Sequence, residues 1–329
     1  MSKAATNIFD YATKELSQDA FLSWVLANKD CDDKDLCDAA NSLLKLFEID
    51  PNSVLSIEIK RQERNIDISA YISGKDDENM ALYIEDKTTS KEHEQLSKYN
   101  ESINDIAAGY SNVKKVYYKT SRIDEDEKIR VCEAGWKVIE FDKIANTWKS
   151  YLSSDNLIIC SYAKHIQQIE NDLKQNSYPD TERIVAWESY FSNTLIPELA
   201  ECTCRIDGWP GQYSCLQIWP KGHDIGDPFF EIRSRDCIKK QGKFVLIGRI
   251  LTYGIDEKYN DGGKRRKEAK NAIEKGIDNS KMFLKQNYSQ QVAISKKEYD
   301  TYDTEDEWKK GFKELVKEYL EVMKNFNIK

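Results

Sequence analysis

Asn65-Ile66-Asp67-Ile68-Ser69, followed after a polar turn by Ala81-Leu82-Tyr83-Ile84-Glu85-Asp86-Lys87, is the stretch on which the fold turns. In the first segment Ile66, Ile68 and Ala70 alternate with polar neighbours. In the second, Leu82 and Ile84 alternate with Tyr83 and Glu85. A period of two is the mark of a buried strand face. Between them Ser73-Gly74-Lys75-Asp76-Asp77-Glu78-Asn79 is a glycine-containing polar turn, so the pair reads as a β-hairpin. Such a hairpin brings Asp67 and the Glu85-Asp86-Lys87 triplet to one place.

The residue types explain why they belong together. Two neighbouring carboxylates repel unless a cation lies between them, so Asp67 and Glu85 point to a Mg²⁺ (or Mn²⁺) site. Glu85 and Lys87 project from the same face of a strand, which sets Lys87 beside the attacking water. The Asp86 side chain points away and leaves its backbone carbonyl as a further metal ligand. A cation, a poised water and an ammonium together suit phosphodiester hydrolysis. The bland alternative is the wet face of an ordinary hairpin, because an Asp followed by Glu-x-Lys recurs by chance. The next segment adds to the chemical reading. Lys91 to Ile106 is expected to be helical, and Gln95 and Tyr99, spaced i and i+4, share a face. That pair can hold a phosphate or brace the lysine.

Asp67, Glu85-x-Lys87 and Gln95-x-x-x-Tyr99 resemble the PD-(D/E)xK nuclease superfamily, including the Q-x-x-x-Y signature of its RecB-like branch. The opening Glu15-Leu16-Ser17-Gln18-Asp19-Ala20-Phe21-Leu22-Ser23-Trp24-Val25-Leu26 is similar to the first helix of a bacterial group within it. The resemblance covers about the first half of the chain. It implies a restriction-endonuclease-like αβββαβ core in which Asp67 and Glu85 bind Mg²⁺ and Lys87 assists the attacking water. It also matches Glu15 to a helix-borne acid that approaches the metal. Ile66 stands where the superfamily often has a proline.

Outward from this centre, Phe9 to Ala27 reads as an amphipathic helix with Leu16, Ala20, Leu22, Trp24 and Val25 as its apolar stripe. A second helix is expected over Leu36 to Phe47, broken by Pro51. Val54 to Glu63 alternates as a strand and ends in basic residues, of which Arg61 and Arg64 are placed to meet a phosphate backbone or to form an exposed, charged hairpin end. Val113 to Lys119 and Trp136 to Phe141 are further strands, with Ser121 to Arg130 as a charged connection. These elements make an expected catalytic domain over 1–155.

The remainder, 156–329, reads as a C-terminal α+β accessory domain for substrate or partner selection. Helices are expected over Leu157 to Lys174, Thr181 to Glu201 and Asp261 to about Gln286, with strands at Tyr213 to Trp219, Phe229 to Ser234 and Phe244 to Leu251. Lys264, Arg265, Arg266 and Lys267, behind Gly262-Gly263, are the densest basic cluster. They suit a nucleic-acid backbone or a solvated charged face.

Composition sets the outer limits. The chain has 329 residues, 40% hydrophobic, and a net charge of -8, with a mean hydropathy of -0.70. That length accommodates two domains, and no apolar run approaches a membrane span. The acidic balance argues against a protein that coats nucleic acid non-specifically; it leaves room for a nuclease, whose binding depends on local patches. Eight scattered cysteines and three histidines offer no zinc pattern and fit reduced thiols in a cytoplasm. The expectation is a Mg²⁺-dependent nuclease, with DNA ahead of RNA as its substrate, in bacterial phage defence or DNA repair. A homodimer or a separate partner protein is left open. The alternatives are a catalytically weak module that binds nucleic acid or protein, and an RNA-cleaving toxin.

Overall fold

The hairpin forms as the alternation predicts, between β2 (Ile66–Gly74) and β3 (Met80–Lys87), which pair antiparallel with Ile68 opposite Ile84 and Ile72 opposite Met80. The computed structural model describes residues 7–10, 15–90, 92, 95–209, 212–223, 227–252, 264–277, 282–284, 291–295 and 300–324. The chain is mixed α/β and divides into two units, 1–173 and 174–329.

In the first unit β1 (Val54–Glu63) lies antiparallel to β2, and β4 (Asn112–Lys119) and β5 (Lys137–Ile139) add in parallel beyond β3. The sheet order is β1-β2-β3-β4-β5. The parallel connections need crossovers, which α3 (Gln95–Ile106) and α4 (Glu125–Glu133) supply. Residues 121–130, expected to be a charged connection, therefore contain most of a helix. Asp124 caps it by accepting from the Glu127 amide, and Glu125, Asp126 and Glu127 occupy its first turn, where acidic groups favour the helix dipole.

Side chains on one sheet face, Ala81, Tyr83 and Tyr117, pack with Leu96 and Ile103 of α3 and Val131 of α4. The other helices are α1 (Glu15–Ala27), α2 (Lys34–Leu46), α5 (Phe141–Lys149) and α6 (Leu157–Leu173). Their aromatic centre is Phe21, Trp148 and Tyr162: the Phe21 and Tyr162 rings stack at 3.9 Å, and Trp148 donates to the Tyr118 hydroxyl at 3.1 Å. Because α6 packs with α5 and α2, the first unit runs to Leu173 rather than to the expected boundary at 155. Trp148 is fully buried. Trp148→Ala should destabilise this unit by about 3–5 kcal/mol, read from the midpoint of denaturant unfolding.

The apolar stripe of α1 differs from expectation. Leu16 is 58% exposed and Ala20 is exposed, whereas Gln18, Asp19, Phe21, Leu22, Val25 and Leu26 are buried. The true stripe follows Asp19, Leu22 and Leu26, at i, i+3 and i+7.

The second unit has a six-stranded antiparallel sheet, in the order β11-β12-β10-β8-β7-β6. Its strands are β6 (Cys202–Trp209), β7 (Tyr213–Pro220), β8 (Phe229–Arg233), β10 (Gly248–Leu251), β11 (Met282–Leu284) and β12 (Gln291–Ser295). A separate pair joins β9 (Phe244–Leu246) to β13 (Asp300–Tyr302). Leu216, Ile218, Phe230, Ile232 and Ile250 form one core with Trp187, Tyr190 and Phe191 and with Trp308, Phe312, Leu315 and Tyr319. The first trio belongs to α7 (Ile184–Tyr190) and the π turn that follows it, and the last group to α9 (Glu305–Met323). The helix expected over 181–201 shortens to α7, that π turn and a 3₁₀ turn containing Pro197, since proline cannot donate within a helix interior. α8 (Lys264–Ile277) ends before the expected 286. The glycine pair at 262–263 lies outside the described residues. No described helix is long and apolar enough to cross a membrane.

Candidate active site

Asp67 and Glu85 meet because of register. Ile68 pairs with Ile84, so one step further Asp67 comes opposite Glu85, and directly opposed residues of an antiparallel pair share a face. The Asp67 Oδ2 accepts the Asp86 backbone N–H at 2.9 Å, and its Oδ1 accepts from Gln62 at 3.0 Å. Asp67 stays half-exposed, while Glu85 is 1% exposed. Lys87, two residues on, places its Nζ 2.6 Å from Glu85 Oε1 and 3.8 Å from Glu15 Oε2. Glu15 reaches in from the start of α1 and accepts a hydrogen bond from Ser90.

The electrostatics follow from burial. Loss of solvent and then the charge of Asp67 push the Glu85 carboxyl up to about 8, against the pull of Lys87. Burial opposes the Lys87 ammonium, but the charges of Glu85, Glu15 and Asp67 outweigh it and hold its pKa above the ordinary lysine value. Lys87 thus lies as an ammonium among acidic side chains.

Asp86 projects to the other face of the sheet, as its place in the strand dictates. It is fully buried and accepts from Gln18 at 2.5 Å. Gln18 in turn accepts from Thr120 at 3.1 Å and Tyr162 at 3.2 Å. Asp19, not singled out from the sequence, is also fully buried. Burial and the Asp67 charge push its carboxyl up to about 6, and burial with the Asp19 charge raises Asp86. A stripe drawn through Leu16 and Ala20 conceals Asp19; a carboxylate in line with Leu22 and Leu26 is the signal that finds it.

Five carboxylates thus gather at this end of the sheet. Glu85 Oε2, both Asp19 oxygens and Asp86 Oδ2 are buried without a hydrogen-bond partner. The donor-free Glu85 oxygen, facing Asp67, fits a divalent cation, a hard ion that takes oxygen ligands, whereas Asp19 and Asp86 lie against each other on the opposite side of the strand. Among the described residues no three acids, histidines or cysteines converge on one ion-sized point. The Lys87 ammonium lies against Glu85 instead.

The other expected site residues fall into two groups. Tyr99 is half-buried, and burial followed by the Glu85 charge pushes its hydroxyl up to about 12, so it senses the site. Gln95 is exposed at the start of α3. Arg61 is already engaged with α1: it donates to the Leu16 carbonyl at 3.0 Å and lies 3.9 Å from Asp19. Arg64 is exposed near it in the chain. In the second unit Lys267 is exposed, whereas the side chains of Lys264, Arg265 and Arg266 lie outside the described residues.

No family model, no curated protein and no solved structure matches the chain.

Proposed function

We propose that the first unit is a Mg²⁺- or Mn²⁺-dependent nuclease of the PD-(D/E)xK kind, with DNA as its main substrate, and that its sheet and crossing helices form the restriction-endonuclease-like core. The observation that carries this reading is the convergence of Asp67, Glu85, Lys87 and Glu15 at one end of β2 and β3. Asp67 and Glu85 would hold the ion, with the Asp86 carbonyl beside them. When bound, it supplies positive charge that polarises a phosphodiester and makes water more acidic.

The chain's own groups do the rest. Lys87 lies against Glu85, where it would orient the nucleophile or take its proton and would stabilise negative charge developing on phosphate. Ser90 and Lys87 fix Glu15 at the rim. Tyr99 and Gln95 offer polar groups from α3 to a backbone phosphate. Arg61 offsets part of the acidic charge on α1 that would repel nucleic acid.

The test is incubation of the full chain with linear duplex DNA, circular duplex DNA, single-stranded DNA and RNA, with Mg²⁺, Mn²⁺ or EDTA. The reading expects EDTA-sensitive cleavage of DNA. Inertness towards all four substrates with either ion would replace it with the binding module.

The second unit is read as the part that selects substrate or partner. Neutralising Lys264, Arg265, Arg266 and Lys267 should weaken nucleic-acid binding. It should also flatten the salt dependence, by about 0.9 in log–log slope for each phosphate that is no longer neutralised. Unchanged affinity and slope in a fluorescence-anisotropy titration would assign the cluster to solvation.

A further inference from the structure

Lys119 and Glu127 form an ion pair buried more deeply than the Glu85–Lys87 pair. Lys119 Nζ lies 2.8 Å from both Glu127 oxygens, and the two side chains are 3% and 0% exposed. Burying such a pair does not by itself stabilise a fold, because desolvation offsets the attraction. What Glu127 touches is therefore informative. Its Oε1 also accepts from the Tyr117 hydroxyl at 2.7 Å and from the Glu92 backbone N–H at 3.1 Å. The Glu92 side chain, 3% exposed, then accepts from the Gln95 amide at 2.6 Å and the Leu96 amide at 3.3 Å. These are among the unsatisfied donors at the start of α3.

The other end of this chain of contacts abuts the candidate active site. Lys119 is the register partner of Lys87 in the parallel β3–β4 pair, and Tyr117 is the partner of Glu85. The Thr120 amide donates to the Lys87 carbonyl at 3.0 Å. Partners in a parallel pair project to the same face, so Lys119 stands beside Lys87. Lys119 pairs with Glu127 at 2.8 Å as Lys87 pairs with Glu85 at 2.6 Å.

We infer that Lys119, Glu127 and Glu92 are positioning residues. They lock the N-terminus of α3 to the strand ends, and so set Gln95 and Tyr99 for the backbone phosphate of a nucleic acid held at Glu85 and Lys87. This rests on the nuclease reading. It assigns a role to three buried groups that the hydrolysis itself does not use.

The experiment compares Glu92→Ala with Glu92→Gln in the full chain, by steady-state cleavage of the DNA that the wild type cuts best. Glu92→Ala removes the acceptor for the Gln95 and Leu96 amides. It should raise KM about tenfold with kcat within about twofold of wild type. Glu92→Gln keeps an acceptor oxygen and should restore KM. In a Tyr99→Phe background the Glu92→Ala effect should largely vanish, since coupled residues are non-additive. An unchanged KM, a fall in kcat alone, or full additivity with Tyr99→Phe would overturn the proposal while leaving the nuclease intact. A wild type that cleaves nothing would remove the nuclease reading and this substrate role with it. Amide exchange at Gln95 and Leu96 then reads the lock separately, and unchanged protection in Glu92→Ala would overturn that part too. Should Glu92→Ala fail to fold, Glu127→Asp keeps Lys119 paired but shortens the reach to the Glu92 N–H, and the same KM and kcat split is expected.

Discussion

Lys87→Ala should abolish cleavage while leaving the fold, divalent-ion binding and nucleic-acid binding largely in place. Lys87 lies 2.6 Å from Glu85 and 3.8 Å from Glu15, with its ammonium as the one basic group among the site's acids that the hairpin itself supplies. It is not an ion ligand, because an ammonium has no lone pair to give. Its loss removes the group that orients or deprotonates the nucleophile and steadies the phosphate, typically on the order of a hundred- to ten-thousand-fold in rate. Turnover on the preferred nucleic acid, measured beside ion binding by calorimetry, checks this. Full activity in the variant would end the mechanism.

Glu85→Ala should remove both ion binding and cleavage, and it should also change how stability responds to pH. In the ion-free protein the Glu85 carboxyl is raised from 4.5 to about 8, and Asp19 from 3.8 to about 6. Between the unfolded and folded values the native state holds more protons than the unfolded chain. These groups therefore stabilise the fold at low pH, and the stability they contribute is lost as pH rises towards about 8. The ion-free wild type should melt at a higher temperature near pH 5 than near pH 8. Mg²⁺ should narrow that difference by taking the place of the proton. Glu85→Ala should flatten the part of the profile between about 6 and 8 and show no response to Mg²⁺. A wild-type melting profile that rises across that window and ignores Mg²⁺ would contradict the assignment.

The hairpin is legible in the sequence because its apolar alternation is local: Ile66, Ile68, Leu82 and Ile84 are all fully buried. The meeting of Asp67 with Glu85 follows from that pairing alone. The stripe of α1 is harder to place because Leu16 looks apolar and Asp19 does not. Yet Leu16 faces solvent, and Asp19 lies buried among the other acids. The charge of α4 obscures it, although Asp124 and the acidic first turn signal a helix start. The Lys119–Glu127–Glu92 chain is out of reach, because Glu92 and Glu127 meet across 35 residues of sequence, and no local period links them. The domain division at 173 depends on α6 packing with α5 and α2, a tertiary preference that no local period announces.

The central claim is that the end of β2 and β3 is an ion-binding reaction centre rather than a structural ion pair. A crystal of the protein soaked in Mn²⁺ and measured for anomalous scattering addresses it most directly. The account predicts a peak within roughly 2.0–2.6 Å of carboxylate oxygens of both Asp67 and Glu85, with the Lys87 ammonium moved off Glu85 and still beside the ion. A site without a peak, and with the 2.6 Å contact between Lys87 and Glu85 unchanged, would contradict it.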